Sequence, residues 1–430
     1  MMTKDTKTKF QENKMTSFNT DKLSNEIKVI TRKNANTPRI SLNLFMTSGT
    51  KYENFAGTAN LVGRLLLQGT ETKSAEDLAN ELDLNAIEMN IEAKQDYLRA
   101  RALFLNEDLD EVLDIFKDIL KYSTFKNIEK EARKFEGEIT LDLDSPKTQA
   151  LDNLIRNIYP EHPYGHSHTK ILEDLNKINI DSIKEFYTKN SFIPEKMVIS
   201  VVGDIEHEQI MKALNNKFGT LERVCGEKFK KNISEIKENK TVTIAKDAAA
   251  QAQIIQGWLA PSISEKDYPI IVLLNTILGG SGLSSRLFVE LRDKKGLAYT
   301  VRSSYEPMQD SGLFTIYIGT APENIKVCLE GFDAEVKKLK DELVSEKELN
   351  DAKNNYLGKR TFSHETNSQQ AYYLGFYEAM GLGSGFDDAI TEKIKKVTAQ
   401  EILEAANKYF SKNSVISILA PQKYLDNINN

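Results

Sequence analysis

Apolar residues along this chain recur with two different periods, and the switches between them outline its elements. Ile40-Ser41-Leu42-Asn43-Leu44-Phe45-Met46, Met197-Val198-Ile199-Ser200-Val201-Val202, Gln253-Ile254-Ile255-Gln256-Gly257-Trp258 and Val415-Ile416-Ser417-Ile418-Leu419 are short β-rich runs. Their length and composition suit strands buried in a sheet. Met89-Asn90-Ile91-Glu92-Ala93 and residues 97–105 alternate and predict a hairpin, and Leu313-Phe314-Thr315-Ile316-Tyr317-Ile318 repeats the strand signal later. Apolar faces at helical spacing predict helices over residues 109–120, 128–141 and 325–339.

The order of these signals repeats. The run at 40–46 precedes an apolar helix closing at Gly69, the run at 253–258 precedes a helical stretch closing at Gly279, and the two glycines lie 210 residues apart. A helix over 181–188 leads into the strand at 197–202 as one over 400–410 leads into 415–419, with Ser200 and Ser417 217 residues apart. Two nearly equal offsets from separate element pairs predict a duplicated domain of about 200 residues per copy, too long for a solenoid repeat. Strands mixed with helices, without strict βαβ alternation, predict an α+β chain in which each copy is a mainly antiparallel sheet covered by helices. The boundaries expected are a disordered polar leader at 1–24, a first domain at 25–222, a Lys/Glu-rich linker at 223–243 and a second domain at 244–430.

Composition narrows the partners. Lys+Arg 57 against Asp+Glu 63 gives a net charge of −6 with the signs interspersed, which argues against nucleic acid or anionic membrane. The chain has no apolar run of membrane-spanning length and no signal-peptide core near its start, so a soluble, cytoplasmic protein is the expectation. Cys225 and Cys328 are too far apart in sequence for a metal-type or redox pair, and a reducing compartment fits them.

Candidate chemistry is sparse. His162-Pro163-Tyr164-Gly165-His166-Ser167-His168 holds three histidines in seven residues, but Pro163 and Gly165 make it a loop, and a structural turn is the expectation over a zinc site. Leu278-Gly279-Gly280-Ser281-Gly282-Leu283-Ser284-Ser285 lacks the Lys-Ser/Thr ending of a phosphate-binding loop and reads as a flexible turn. The more informative stretch is Gly57-Thr58-Ala59-Asn60-Leu61-Val62-Gly63-Arg64-Leu65-Leu66-Leu67-Gln68-Gly69-Thr70. It resembles the zinc helix of the pitrilysin/insulinase metallopeptidases, Gly-Thr-Ala-His-x-x-Glu-His-x-x-x-x-Gly-Thr, with every catalytic letter replaced. In that family two histidines bind zinc and the Glu takes a proton from the metal-bound water. Here Asn60, Gly63 and Arg64 stand at those positions: a poor ligand, no base, and a permanent cation that repels a divalent one.

Two further correspondences follow from the resemblance. Glu138-Ile139 matches the context of the family's third ligand, a Glu, which places Glu138 opposite the degenerate helix. Leu291-Arg292-Asp293-Lys294-Lys295-Gly296-Leu297-Ala298-Tyr299 matches the family's substrate-contacting Arg and Tyr, seven apart. Lys294 and Lys295 before Gly296 read as a helix end, with Arg292 on its last turn and Tyr299 on the next strand. The resemblance covers about residues 25–421 and implies a half-clamshell of two similar domains. It implies a chain inactive alone, with no cofactor of its own, that pairs with a catalytic subunit carrying His-x-x-Glu-His. That partner would hold the zinc, while Arg292 and Tyr299 act across the chamber on an unfolded peptide added to a sheet edge. A scaffold of the same fold with no part in proteolysis is the alternative. The glycine-rich run departs from the longer loop of the mitochondrial processing peptidase alpha subunit, which speaks against presequence processing.

Overall fold

The computed structural model describes residues 17–222, 229 and 231–426. Two sheets organise it. The first contains β1 (Asn19–Lys22), β2 (Lys28–Lys33), β3 (Arg39–Met46), β4 (Glu88–Ala93), β5 (Leu98–Leu105) and β6 (Met197–Gly203), in the order β1-β2-β6-β3-β5-β4. The second contains β7 (Lys240–Ala245), β8 (Ala252–Ala260), β9 (Ala298–Pro307), β10 (Gly312–Thr320) and β11 (Val415–Ala420), in the order β7-β11-β8-β10-β9. With β1 set aside the two orders are the same, and in each sheet only the first of these pairs, β2–β6 and β7–β11, is parallel. The duplication read from the offsets is thus a duplication of topology, and the chain is α+β with mainly antiparallel sheets.

The ends of the expected segments differ in detail. Asn19–Lys22, assigned to a disordered leader, pairs with β2 as the outer strand of the first sheet. Lys240, assigned to the linker, begins β7, and Phe229 packs edge-on against Tyr52 and His162 at 5.4 and 5.3 Å between ring centroids. The remainder of the expected leader, residues 1–16, and residues 223–228 and 230 of the Lys/Glu-rich run, with Cys225, lie outside the described residues.

The central strands of each sheet are buried on both faces, which explains their near-continuous apolar runs. Ile40, Leu42, Leu44 and Met46 of β3 join a core under the first domain's own helices, whereas Phe45, on the other face, joins the core of the second domain. The element responsible is the helix Asn367–Ala379 from the second domain. Its Ala371 carbonyl accepts from Ser200 Oγ of β6 at 2.6 Å, and the Tyr372 and Tyr97 hydroxyls meet at 3.1 Å. The first domain returns the exchange: Ala150, Leu154 and Ile158 of the helix Pro146–Ile158 pack with Ile255, Leu313, Val415 and Leu419 of the second sheet. These two reciprocal straps are absent from the sequence reading, because an apolar helix face does not say which sheet it will cover.

Candidate functional site

The degenerate helix, Thr58–Leu65, starts at Gly57, whose φ of 96° lies in the left-handed region that glycine enters without strain. Its first turn is held by a carboxylate six residues upstream. Glu53, fully buried, accepts from the Gly57 and Ala59 amides at 3.1 and 2.9 Å and lies 2.9 Å from His166 Nδ1. This satisfies two amides that a helix start otherwise leaves bare. Burial pushes the Glu53 pKa up, opposed by its bonds to His166 and the two amides. Asp174 fixes the preceding residue, accepting from the Ala56 amide at 3.1 Å. Burial raises the Asp174 pKa, but the ammonium groups of Lys177 and Lys170 outweigh it and hold the carboxyl at about 2. Neither acid was singled out in the sequence, since both act on backbone amides and belong to no motif.

On the body of the helix, Asn60 is half-buried and Gly63 is buried against the sheet, where a Cβ would touch Ile91 Cγ2 at 3.4 Å. Arg64 crosses to Glu138 on the helix Ile128–Asp144. Arg64 Nη1 donates to Glu138 Oε1 at 3.1 Å and Nη2 donates to Oε2, a two-pronged pairing, while the guanidinium lies 4.7 Å from the centroid of the Phe135 ring. Arg64's hydrogen bond is the leading cause lowering Glu138's pKa. Guanidinium and carboxylate therefore meet across the vacated ligand positions, but the side chains are 27 % and 56 % exposed, so the pair is not desolvated. Zinc does not fit these residues: the one carboxylate is engaged by a fixed cation and its neighbours are an amide and a glycine. Among the described residues, no group of three or more His, Cys, Asp or Glu could hold a metal ion.

The three histidines diverge. His162 accepts from the Tyr164 amide at 3.1 Å and is pushed down to about 4 chiefly by burial, His166 pairs with Glu53, and His168 comes within 3.7 Å of Asp142.

Arg292 and Tyr299 are brought together in the second domain. Arg292 lies in the π-helical segment Phe288–Lys294, which stops at Gly296 with φ of 65°. The stop resembles the common glycine-closed helix end but is one residue wider, with the Gly296 amide bonded to Arg292 O and the Leu297 amide to Leu291 O. Tyr299 is left without a partner where the β9–β10 register shifts, a bulge that aims a side chain away from the ladder. Arg292 Nη1 donates to the Tyr299 carbonyl at 2.7 Å, and its guanidinium lies 4.5 and 4.7 Å from the ring centroids of Phe288 and Tyr299. Tyr299 is 79 % exposed, so its hydroxyl is free to meet a ligand. Both residues line a cavity of about 500 Å³ along β9, whose far wall includes Asn275, Gly279 and Gly280. The start of the glycine-rich run is packed against β9, where a Cβ on Gly279 would lie 2.2 Å from the Ser303 amide nitrogen, whereas Gly282, Leu283 and Ser284 are exposed. Among the described residues, no hydrogen bond, ion pair or ring contact joins Arg292 or Tyr299 to Arg64 or Glu138.

Two helix-covered sheets of one topology, with a metal-type helix stripped of ligands in the first and an Arg–Tyr pair in the second, define a half-clamshell of the metallopeptidase type. Residues 28–170 match the insulinase domain of peptidase family M16 and residues 177–356 match the domain described as peptidase M16 inactive domain. The chain belongs to this family, the pitrilysin/insulinase peptidases. It is 27 % identical over 403 residues to the uncharacterized zinc protease YmxG of Bacillus subtilis, covering 92 % of this chain and 97 % of that one. It is 26 % identical over 409 residues to an uncharacterized zinc protease of Rickettsia bellii, covering 94 % and 98 %. In fold it resembles a peptidase M16 inactive domain from Pseudomonas fluorescens, with TM-score 0.85 and 22 % identity over 94 % of this chain and 98 % of that one. A protease from Helicobacter pylori gives TM-score 0.87 and 22 % identity over 94 % and 99 %. No helix among the described residues is long and apolar enough to cross a membrane.

Proposed function

We propose that this chain is the non-catalytic, substrate-binding subunit of a two-chain M16-type zinc peptidase. The observation that carries the reading is the Arg292–Tyr299 assembly, ordered by its own contacts and opening on a cavity along a bare strand edge, in a chain whose degenerate helix holds Arg64 against Glu138. A catalytic partner with His-x-x-Glu-His supplies zinc and the base. An unfolded peptide lies along β9, with Arg292 holding a peptide carbonyl and Tyr299 donating to the oxygen that becomes anionic during attack. A scaffold has no use for such donors.

The test is kinetic. This chain alone is expected to hold no stoichiometric zinc by metal analysis and to cleave no peptide. With its catalytic partner, Tyr299→Phe lowers turnover on the order of 100-fold while leaving assembly and the partner's zinc intact. Arg292→Ala also raises KM, since its contact is made before the chemical step. Wild-type kinetics in both variants, with the heterodimer confirmed by sizing, would refute the proposal in favour of a scaffold. One zinc held by this chain and lost on Glu138→Gln would refute it from the other side.

A further inference from the structure

Beside the Arg–Tyr pair the structure holds a second, unclaimed group of cations. Side chains alternate along β9: Val301 is buried in the core under the helices and Ser303 bonds Asn275, whereas Thr300, Arg302 and Ser304 are exposed on the opposite, strap-side face. Arg302 stands directly across from Tyr317 of β10, and Lys147, in the first turn of the strap Pro146–Ile158, places Nζ 4.7 Å from the centre of the Tyr317 ring. Lys147, Tyr317 and Arg302 thus form a row on one face, at the positive end of a helix. Burial, and after it the nearby Arg302, lowers the Lys147 pKa.

Two like charges are held near one another with no anion between them. Among the described residues neither Lys147 nor Arg302 forms a salt bridge, and the cavity that Arg302 shares with Arg292 is lined by no carboxylate. Four other arginines are matched, Arg64 with Glu138, Arg99 with Glu92, Arg286 with Glu348 and Arg360 with Asp387, whereas among the described residues Arg39, Arg101 and Arg133 also form no salt bridge. The acid further along the same face, Glu306, is turned to Gln95, which donates to it at 3.3 Å. An unneutralised cation pair beside an open strand edge fits an anion that arrives with a ligand.

We infer that this chain selects extended peptides carrying an acidic side chain, held by Arg302 and Lys147 on the strap-side face of β9. The inference rests on the peptide-binding reading of the Arg292–Tyr299 site and adds to it a sequence preference. A strand added to the β9 edge sets alternate side chains on that face, about 5 Å from the Arg302 Cβ, and a carboxylate there accepts both prongs of a guanidinium. Arg302 is three residues from Tyr299, about 10 Å along the strand. The acidic residue therefore sits about three residues from the peptide carbonyl that Tyr299 addresses.

Fluorescence anisotropy on the full chain tests this with labelled, extended Thr/Val/Ala host peptides that differ at one position, Glu, Gln or Lys. The Glu peptide is expected to bind about tenfold more tightly than the Gln peptide at low salt, and the Lys peptide more weakly than either. The preference should shrink at 0.5 M salt. In the Lys147→Gln/Arg302→Gln double variant, with wild-type melting, the Glu preference should vanish while the Gln peptide binds as before. Arg292→Ala should weaken all three peptides alike. Equal binding of the three by the wild type, or a Glu preference that survives the double variant, overturns this inference and leaves the peptide-binding reading standing. Failure of every peptide to bind removes both.

Discussion

At the scale of single residues, charges in this chain must be weighed by exposure rather than by geometry. The Arg64–Glu138 pair is two-pronged, yet water reaches more than half of the Glu138 side chain. Pairs of this kind contribute about 0–1 kcal/mol, so Glu138→Gln is expected to shift the urea midpoint by no more than that at neutral pH. Because the folded-state pKa of Glu138 is lowered, the contribution is present above the unfolded carboxylate range and fades as pH falls through the lowered value. Glu53 has the opposite sign. Its folded-state pKa is raised by burial, so its contribution is full below the ordinary 4.5 and is lost as pH rises through the raised value. The stability advantage of wild type over Glu53→Gln should accordingly be largest in acid and shrink toward neutral pH. An advantage that grows with pH in urea titrations would contradict the assignment. Glu53→Ala is a harsher change, since it leaves the Gly57 and Ala59 amides without their acceptor, at a cost of about 1–3 kcal/mol.

At the scale of elements, strands and helices were legible wherever one face of an element alternates or repeats, and partners were legible only where a motif named them. β3 and β8 stood out as apolar runs because both faces of each are covered, and the Arg292-to-Tyr299 helix end was marked by Gly296. The joining of Arg64 to Glu138 followed from a resemblance that placed the two at neighbouring ligand positions. The straps left no comparable mark: the helix Asn367–Ala379 has its aromatic residues on one side and Ala371, Leu374, Gly375 and Ala379 on the other, so no polar face sets off an apolar one that would announce a sheet. Their fit depends on two glycines at equivalent crossings. A Cβ on Gly375 would lie 2.4 Å from Phe45 Cε2 and 2.6 Å from Ser200 Oγ, and one on Gly257 would lie 2.6 Å from Ile158 Cδ1. Gly375→Ala therefore forces the strap off the first sheet and is expected to destabilise the chain by about 1–3 kcal/mol by overpacking, despite alanine's better helix propensity. Chemical denaturation of this variant beside an exposed-helix control, Gly358→Ala, where a Cβ meets nothing within 4 Å, separates the two effects.

At the scale of the whole molecule, the exchange of straps makes each domain incomplete without the other. Ile30, Phe45, Tyr97, Val198 and Val202 of the first domain belong to the same apolar cluster as Trp258, Phe314 and Phe410 of the second. Polar contacts reinforce the crossing: Asn34 Nδ2 donates to Asn367 Oδ1 at 2.7 Å, Asn367 Nδ2 to Arg39 O at 3.0 Å, and Lys51 Nζ to Asp310 Oδ2 at 3.0 Å. A chain of two topologically separate domains would ordinarily unfold in two steps, but opening either sheet here strips a face of the other, and shared burial couples them. The single tryptophan provides the probe. Trp258 sits on β8, packed against Phe410 and Phe314 at 5.1 and 6.5 Å between centroids, and so reports the second domain, while far-ultraviolet circular dichroism reports both. The two signals are expected to trace one coincident urea transition in the wild type. Gly375→Ala weakens the strap that covers the first sheet while leaving the surroundings of Trp258 in place. In that variant the dichroism should begin to fall at lower urea than the fluorescence, as the first domain loosens ahead of the second. Separate transitions already present in the wild type would mean that the straps cover the sheets without coupling them.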